Sequence, residues 1–121
     1  MHETAVVSGI IGILERSAVA ERIERITTVR IKVGRLRGLD VRQLVGAFEV
    51  MAEGTRAEGA TLIVDEVAVS AHCPACEETF ETKGWNLACP KCGSSETQIV
   101  AGRELHVENF DGTREAPDRE A

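Results

Sequence analysis

The sequence predicts an α+β fold, with two helices packed on a three-stranded mixed sheet and a cysteine-rich module inserted ahead of the last strand. Three observations carry that prediction. Apolar residues recur at spacings of three and four in two segments, and alternate with polar residues in three others. Between the second and third alternating segments aliphatic content falls and two C-x-x-C pairs appear. Neither an amphipathic helix nor a half-buried strand can cover its own apolar face, so these elements must share a core.

At 121 residues the chain is one domain, or a domain with a small subdomain. Its 43% hydrophobic and 28% charged residues are ordinary for a globular protein. Aromatics are limited to Phe48, Phe80, Phe110 and Trp85, so Val, Ile, Leu and Ala must fill the core. A net charge of -6 argues against a nucleic-acid module, which presents a basic stripe to phosphates. It suits a protein that handles cations or meets basic partners. No apolar run reaches the length of a membrane span, and no secretory leader pattern opens the chain. The expected location is cytoplasmic, where thiols stay reduced.

Taken in order, Val6, Val7, Ile10, Ile11, Ile13 and Leu14 predict a helix from Glu3 to about Ser17. Gly9 and Gly12 lower its intrinsic propensity, so it depends on packing. Val29, Ile31 and Val33 alternate with Arg30 and Lys32 as in a half-buried strand. Gly34 and Gly38 bracket a loop that delivers Asp40, the N-cap of a second helix over about Val41 to Glu53, with Gln43 as capping-box partner. Its inward residues are Val41, Leu44, Val45, Phe48 and Met51, and Gly54 ends it. A second strand runs over Thr61 to Val67, and the last over about Arg103 to Phe110. Strands flanking a helix run parallel if adjacent, through a right-handed crossover, and the last strand can return antiparallel. The expected organisation is a core of residues 1–68 and 102–112, a module of 69–101 and a disordered tail of 113–121.

The module pairs Cys73 with Cys76 and Cys89 with Cys92, with twelve residues between the pairs. Pro74 and Pro90 stiffen the two turns and Gly93 permits a positive φ. Four thiolates delivered this way suit structural Zn(II) in a zinc-ribbon-like four-cysteine module. Iron also suits the C-P-x-C-G form, whereas disulfides conflict with a reducing compartment. Four sulfurs leave no open position for catalytic water. The segment between the pairs has the length of a strand, a turn at Lys83-Gly84 and a return strand. His72 adjoins Cys73 and reads as a bystander rather than a ligand, and His106 as a solvated strand residue. The module's aliphatic content is too low for independent folding, so metal binding should supply its stability.

The chain opens MHET. A methionine before a bulky residue is usually retained, which leaves the free amine on Met1. That amine, the His2 amide and the His2 imidazole can close a five-membered and then a six-membered chelate ring, with the Glu3 carboxylate adjacent. Such nitrogen-rich, near-planar donor sets suit Ni(II) and Cu(II). From the residues alone, an exposed side chain on a frayed end is the competing reading. No nucleophile elbow, phosphate loop or dinucleotide fingerprint is present, so no enzymatic activity is expected.

The terminal MHE, the stretch VRIKVGRLRGLD, FEVMAEGT, the paired C-x-x-C motifs and GREL occur in an order that resembles the HypA/HybF hydrogenase maturation factors, from Met1 to about Phe110. The resemblance implies a nickel metallochaperone for [NiFe]-hydrogenase. It implies His2 as the essential nickel ligand, with the Met1 amine, nearby amides and Glu3 contributing, Asp40 associated with the site, and the four cysteines on structural zinc. It further implies a HypB-type GTPase and the hydrogenase large subunit as partners, with urease served by some members; the expected oligomeric state is a monomer or weak homodimer. The family's commoner start is MHELSL; here Thr4 replaces an apolar residue and the ligands are intact. The alternative is a zinc-ribbon adaptor or regulator acting only through protein contacts.

Overall fold

The computed structural model describes residues 2–83 and 86–114. In chain order these form α1 (Glu3–Ala20), β1 (Ile23–Gly34), a 3-10 turn (Arg35–Arg37), α2 (Val41–Met51), β2 (Thr61–Val67), β3 (Val69–Cys73), β4 (Glu78–Thr82), β5 (Gln98–Ala101) and β6 (Leu105–Arg114). They build two three-stranded sheets, ordered β2-β1-β6 and β4-β3-β5.

The first sheet is mixed. Thr27 Oγ1 donates to the Asp111 carbonyl at 3.1 Å and Arg30 Nη1 to Asn109 Oδ1 at 2.8 Å. Partner numbers fall on β6 as they rise on β1, so these strands are antiparallel. β2 lies on the other side of β1, parallel to it across α2, as expected. Val29, Ile31 and Val33 point inward from β1, and α1 packs against α2. Leu14, Ile26, Leu44 and Phe48 are fully buried.

Three features differ from the sequence expectation. Helix α1 runs almost one turn past Ser17, and its buried stripe is narrower: Val7, Ile10, Leu14 and Ala18 are covered while Ile13 is 43% exposed. Ile13 sits one step off the 3-4 progression of the buried row. The last strand starts at Leu105 and continues to Arg114, held by partners on β1 that a polar sequence does not advertise. Of the tail expected to be disordered, residues 115–121 lie outside the described set.

The third difference is inside the module. The expected return strand is absent among the described residues; β4 instead pairs antiparallel with β3, from Val69↔Thr82 to Cys73↔Glu78, and β5 pairs on β3's other edge. Residues 86–88 satisfy backbone groups through side chains: Thr82 Oγ1 donates to the Asn86 carbonyl at 2.7 Å, and Thr97 Oγ1 to that of Leu87 at 2.6 Å. Gly84 of the expected turn lies outside the described residues.

By density of contacts the chain divides into two compact units. The first contains the chain to Ile31, Leu39–Val64 and the strand from Val107; the second contains Lys32–Gly38 and Asp65–His106. The divisions fall within β1, β2 and β6 rather than at the composition changes.

Candidate metal centres

In the second unit, β3 ends on Cys73 and β4 begins at Glu78, so the first knuckle is a turn between two paired strands. The Glu77 amide donates to the Cys73 carbonyl at 2.7 Å, and Glu77 takes a left-handed φ of 61°. The second knuckle repeats this geometry. The Gly93 amide donates to the Cys89 carbonyl at 2.8 Å with φ 77°, and the Lys91 amide points at Cys89 Sγ at 3.4 Å.

These turns bring the sulfurs of Cys73, Cys76, Cys89 and Cys92 within 4.8 Å of one another. Cys73 and Cys92 lie 3.6 Å apart, as do Cys76 and Cys89, and all four are free of disulfides. A tetrahedron of sulfurs about 2.3 Å from a central ion has edges of about 3.8 Å, so the set fits a four-coordinate thiophilic metal.

The protons of these thiols are coupled. Burial, then contact with Cys89, pushes Cys76 up to about 12. The Cys92 and Lys91 amides outweigh burial at Cys89 and hold it at about 7. At Cys92 the Ser94 amide pulls down, but contact with Cys73 and burial leave it raised. Such crowded thiols cannot all ionise without a cation among them. His72 sits on the face of β3 opposite Cys73 and meets Thr79 Oγ1 at 3.1 Å, outside the cluster.

In the first unit, His2 is exposed at the N-cap of α1 with a left-handed φ of 71°, and its carbonyl accepts the Val6 amide at 3.1 Å. Glu3 is different. It is only 5% exposed, and its Oε2 accepts the Asp40 backbone amide at 2.8 Å. The positive amino terminus and then that amide hold the Glu3 carboxyl down to about 2, against desolvation. Asp40 caps α2 through Oδ1, which accepts from the amides of Arg42 at 2.9 Å and Gln43 at 3.3 Å. The expected reciprocal bond from Gln43 is thus replaced by Glu3, which ties the starts of both helices together. Sequence reading missed this bond because its partners are thirty-seven positions apart.

Among the described residues, the cysteines are the one set of three or more His, Cys, Asp or Glu side chains gathered closely enough to hold an ion. His2, Glu3 and Asp40 do not form such a side-chain set. Met1 lies outside the described residues.

A family model described as "Hydrogenase/urease nickel incorporation, metallochaperone, hypA" matches residues 1–112. Hydrogenase maturation factor HypA of Polaromonas naphthalenivorans (strain CJ2) is 39% identical over 107 residues, covering 88% of this chain and 93% of that protein. HypA of Chlorobium phaeobacteroides (strain BS1) is 38% identical over 110 residues, covering 91% and 97%. The solution structure of the nickel metallochaperone HypA from Helicobacter pylori superposes with TM-score 0.67 at 27% identity, covering 95% of this chain and all of that one.

Proposed function

Because the chain belongs to the HypA family of nickel-incorporation metallochaperones, acting in hydrogenase maturation, we propose that it binds Ni(II) through Met1, His2 and Glu3 and hands it to a [NiFe]-hydrogenase precursor. The observation that carries this reading is the geometry of the helix start. His2 stands exposed at the first turn, while the Glu3–Asp40 bond anchors the residue behind it. The donors are the terminal amine, local amides and the His2 imidazole, with the Glu3 carboxylate, held in place by the Asp40 amide, adding an oxygen. Asp40 then acts by placing the helix starts, and an approaching ion can draw on its carboxylate as well. A chelate at a chain end is accessible from solvent and loses its cargo by stepwise ligand exchange.

Cys73, Cys76, Cys89 and Cys92 would hold Zn(II), whose charge would let four thiolates coexist and so stabilise the module. The four sulfurs fill a tetrahedral shell, so the reading is delivery rather than catalysis. A HypB-type GTPase and the hydrogenase large subunit are the proposed partners. Among the described residues no helix is long and apolar enough to cross a membrane, and the proposed setting is the cytoplasm.

Titration of Ni(II) into the zinc-loaded chain tests the reading. One equivalent should bind without displacing zinc, and His2→Ala should remove it. Nickel binding that occurs only as zinc leaves would favour an adaptor acting through protein contacts.

A further inference from the structure

Two of the sequence motifs, VGRLRG and GREL, take part in neither metal centre, yet they meet in the second unit. The Gly34 amide donates to the Glu104 carbonyl at 2.7 Å and the Leu36 amide to that of Gly102 at 2.9 Å. Arg37 Nε donates to the Arg103 carbonyl at 2.7 Å. A Cβ at Gly34 would collide with the Gly102 carbonyl, so the backbones are in direct contact. Glu104 turns back, its Oε1 accepting the Gly102 amide at 2.8 Å.

This junction carries two hollows that share Ile99 and Arg103. One, of about 310 Å³, is completed by Leu36 and Arg37; the other, of about 220 Å³, by Val100, Ala101 and Glu104. Val100 is 58% exposed. Arg35, Arg37 and Arg103 are exposed and have no ion-pair partner among the described residues. Two arginines, Arg37 and Arg103, lining one hollow with Leu36 and Ile99 run against the chain's net charge of -6.

We propose that this face docks an acidic polypeptide segment bearing an apolar side chain. Guanidinium forks match carboxylates in a bidentate geometry. Leu36 and Ile99 offer shallow hollows sized for one side chain each rather than for a cofactor. The net charge of the chain opposes a nucleic acid, and an apolar floor adds nothing to phosphate binding. The crossed backbones hold the face in shape before binding, which lowers the ordering cost. The proposal does not depend on which metal the amino terminus carries.

The test uses the zinc-loaded full chain, 15N-labelled and titrated with a synthetic peptide of alternating Glu and Leu. Saturable amide shifts are expected at Leu36, Arg37 and Ile99 to Arg103. Arg103→Glu should weaken binding about tenfold or more, the scale of a lost charged hydrogen bond, with zinc content and helicity unchanged. Ile99→Ala should weaken it with all charges in place. Absence of saturable binding, shifts confined to other regions, or undiminished affinity in Arg103→Glu would overturn the proposal. Equal binding of a Lys/Leu peptide would reduce the face to non-specific apolar adhesion and overturn it too. Binding of duplex DNA through the same arginines would replace the acidic segment by a nucleic acid.

Discussion

In the cysteine module, four side chains from two turns converge until their sulfurs lie within 4.8 Å of one another. At the start of α1 the candidate ligand His2 stands exposed, and its neighbour Glu3 is anchored through Oε2 to the Asp40 amide. The first arrangement can surround an ion with four sulfurs and leave it no open coordination position. The second leaves the His2 side chain open to solvent. Retention and transfer make opposite demands on ligand exchange, and the proposed function assigns them to these two regions separately. Their cores also differ: the helix unit buries Leu14, Ile26, Leu44 and Phe48 completely, whereas the module's covered residues are Val69, Ala71 and two of its cysteines.

The largest effect should come from removing the cysteines proposed to hold zinc and organise the module. Cys89→Ser with Cys92→Ser should abolish stoichiometric zinc and collapse amide dispersion over residues 69–101, while far-ultraviolet circular dichroism retains most of its helical signal. Full loss of helix would show that both regions rest on one source of stability. The converse substitution, Phe48→Ala, empties a site that is 0% exposed and should cost about 3–5 kcal/mol in denaturant unfolding. Zinc content of the folded fraction should be unchanged.

A smaller effect tests the tie between helix starts. The Glu3 carboxyl sits at about 2 against an ordinary 4.5. The unfolded chain therefore binds more protons between these values, and stability rises with pH through that window. The contribution of Glu3 is fully present above about 4.5 and lost as pH falls through about 2. Glu3→Gln should flatten the acid limb of the stability curve; an unchanged limb would mean that other carboxyls govern acid unfolding. Smallest is the knuckle turn. Glu77 holds a φ of 61° that glycine adopts freely, as Gly93 does in the second knuckle. Glu77→Gly should stabilise the zinc-loaded protein by up to about 1 kcal/mol, read as a rise in Tm.

Periodicity served the core well because it is a local property: Val29, Ile31 and Val33 alternate in sequence and point inward in space. Ligand spacing served the cysteines equally well, since each C-x-x-C forms its own turn. The paths from Asn86 to Ala88 and from Asp111 to Arg114 were illegible because side-chain bonds and a distant strand fix them. Glu3 shows the limit most clearly. A carboxylate beside a candidate metal ligand reads as another ligand, and only tertiary contact reveals that it binds the Asp40 amide as well. At the amino terminus, the resemblance carried more weight than the tetrapeptide itself.

Delivery from the amino terminus requires that nickel be held by the chain end and not by a side-chain cage. The direct measurement is isothermal titration of Ni(II) into two zinc-loaded proteins, one with the native terminus and one carrying a short N-terminal extension that retains His2. Tight one-to-one binding is predicted for the native chain and strongly weakened binding for the extended one, with zinc content and helicity equal in both. Equal nickel affinity would contradict the chain-end site, and would move it to the side chains of His2, Glu3 and Asp40.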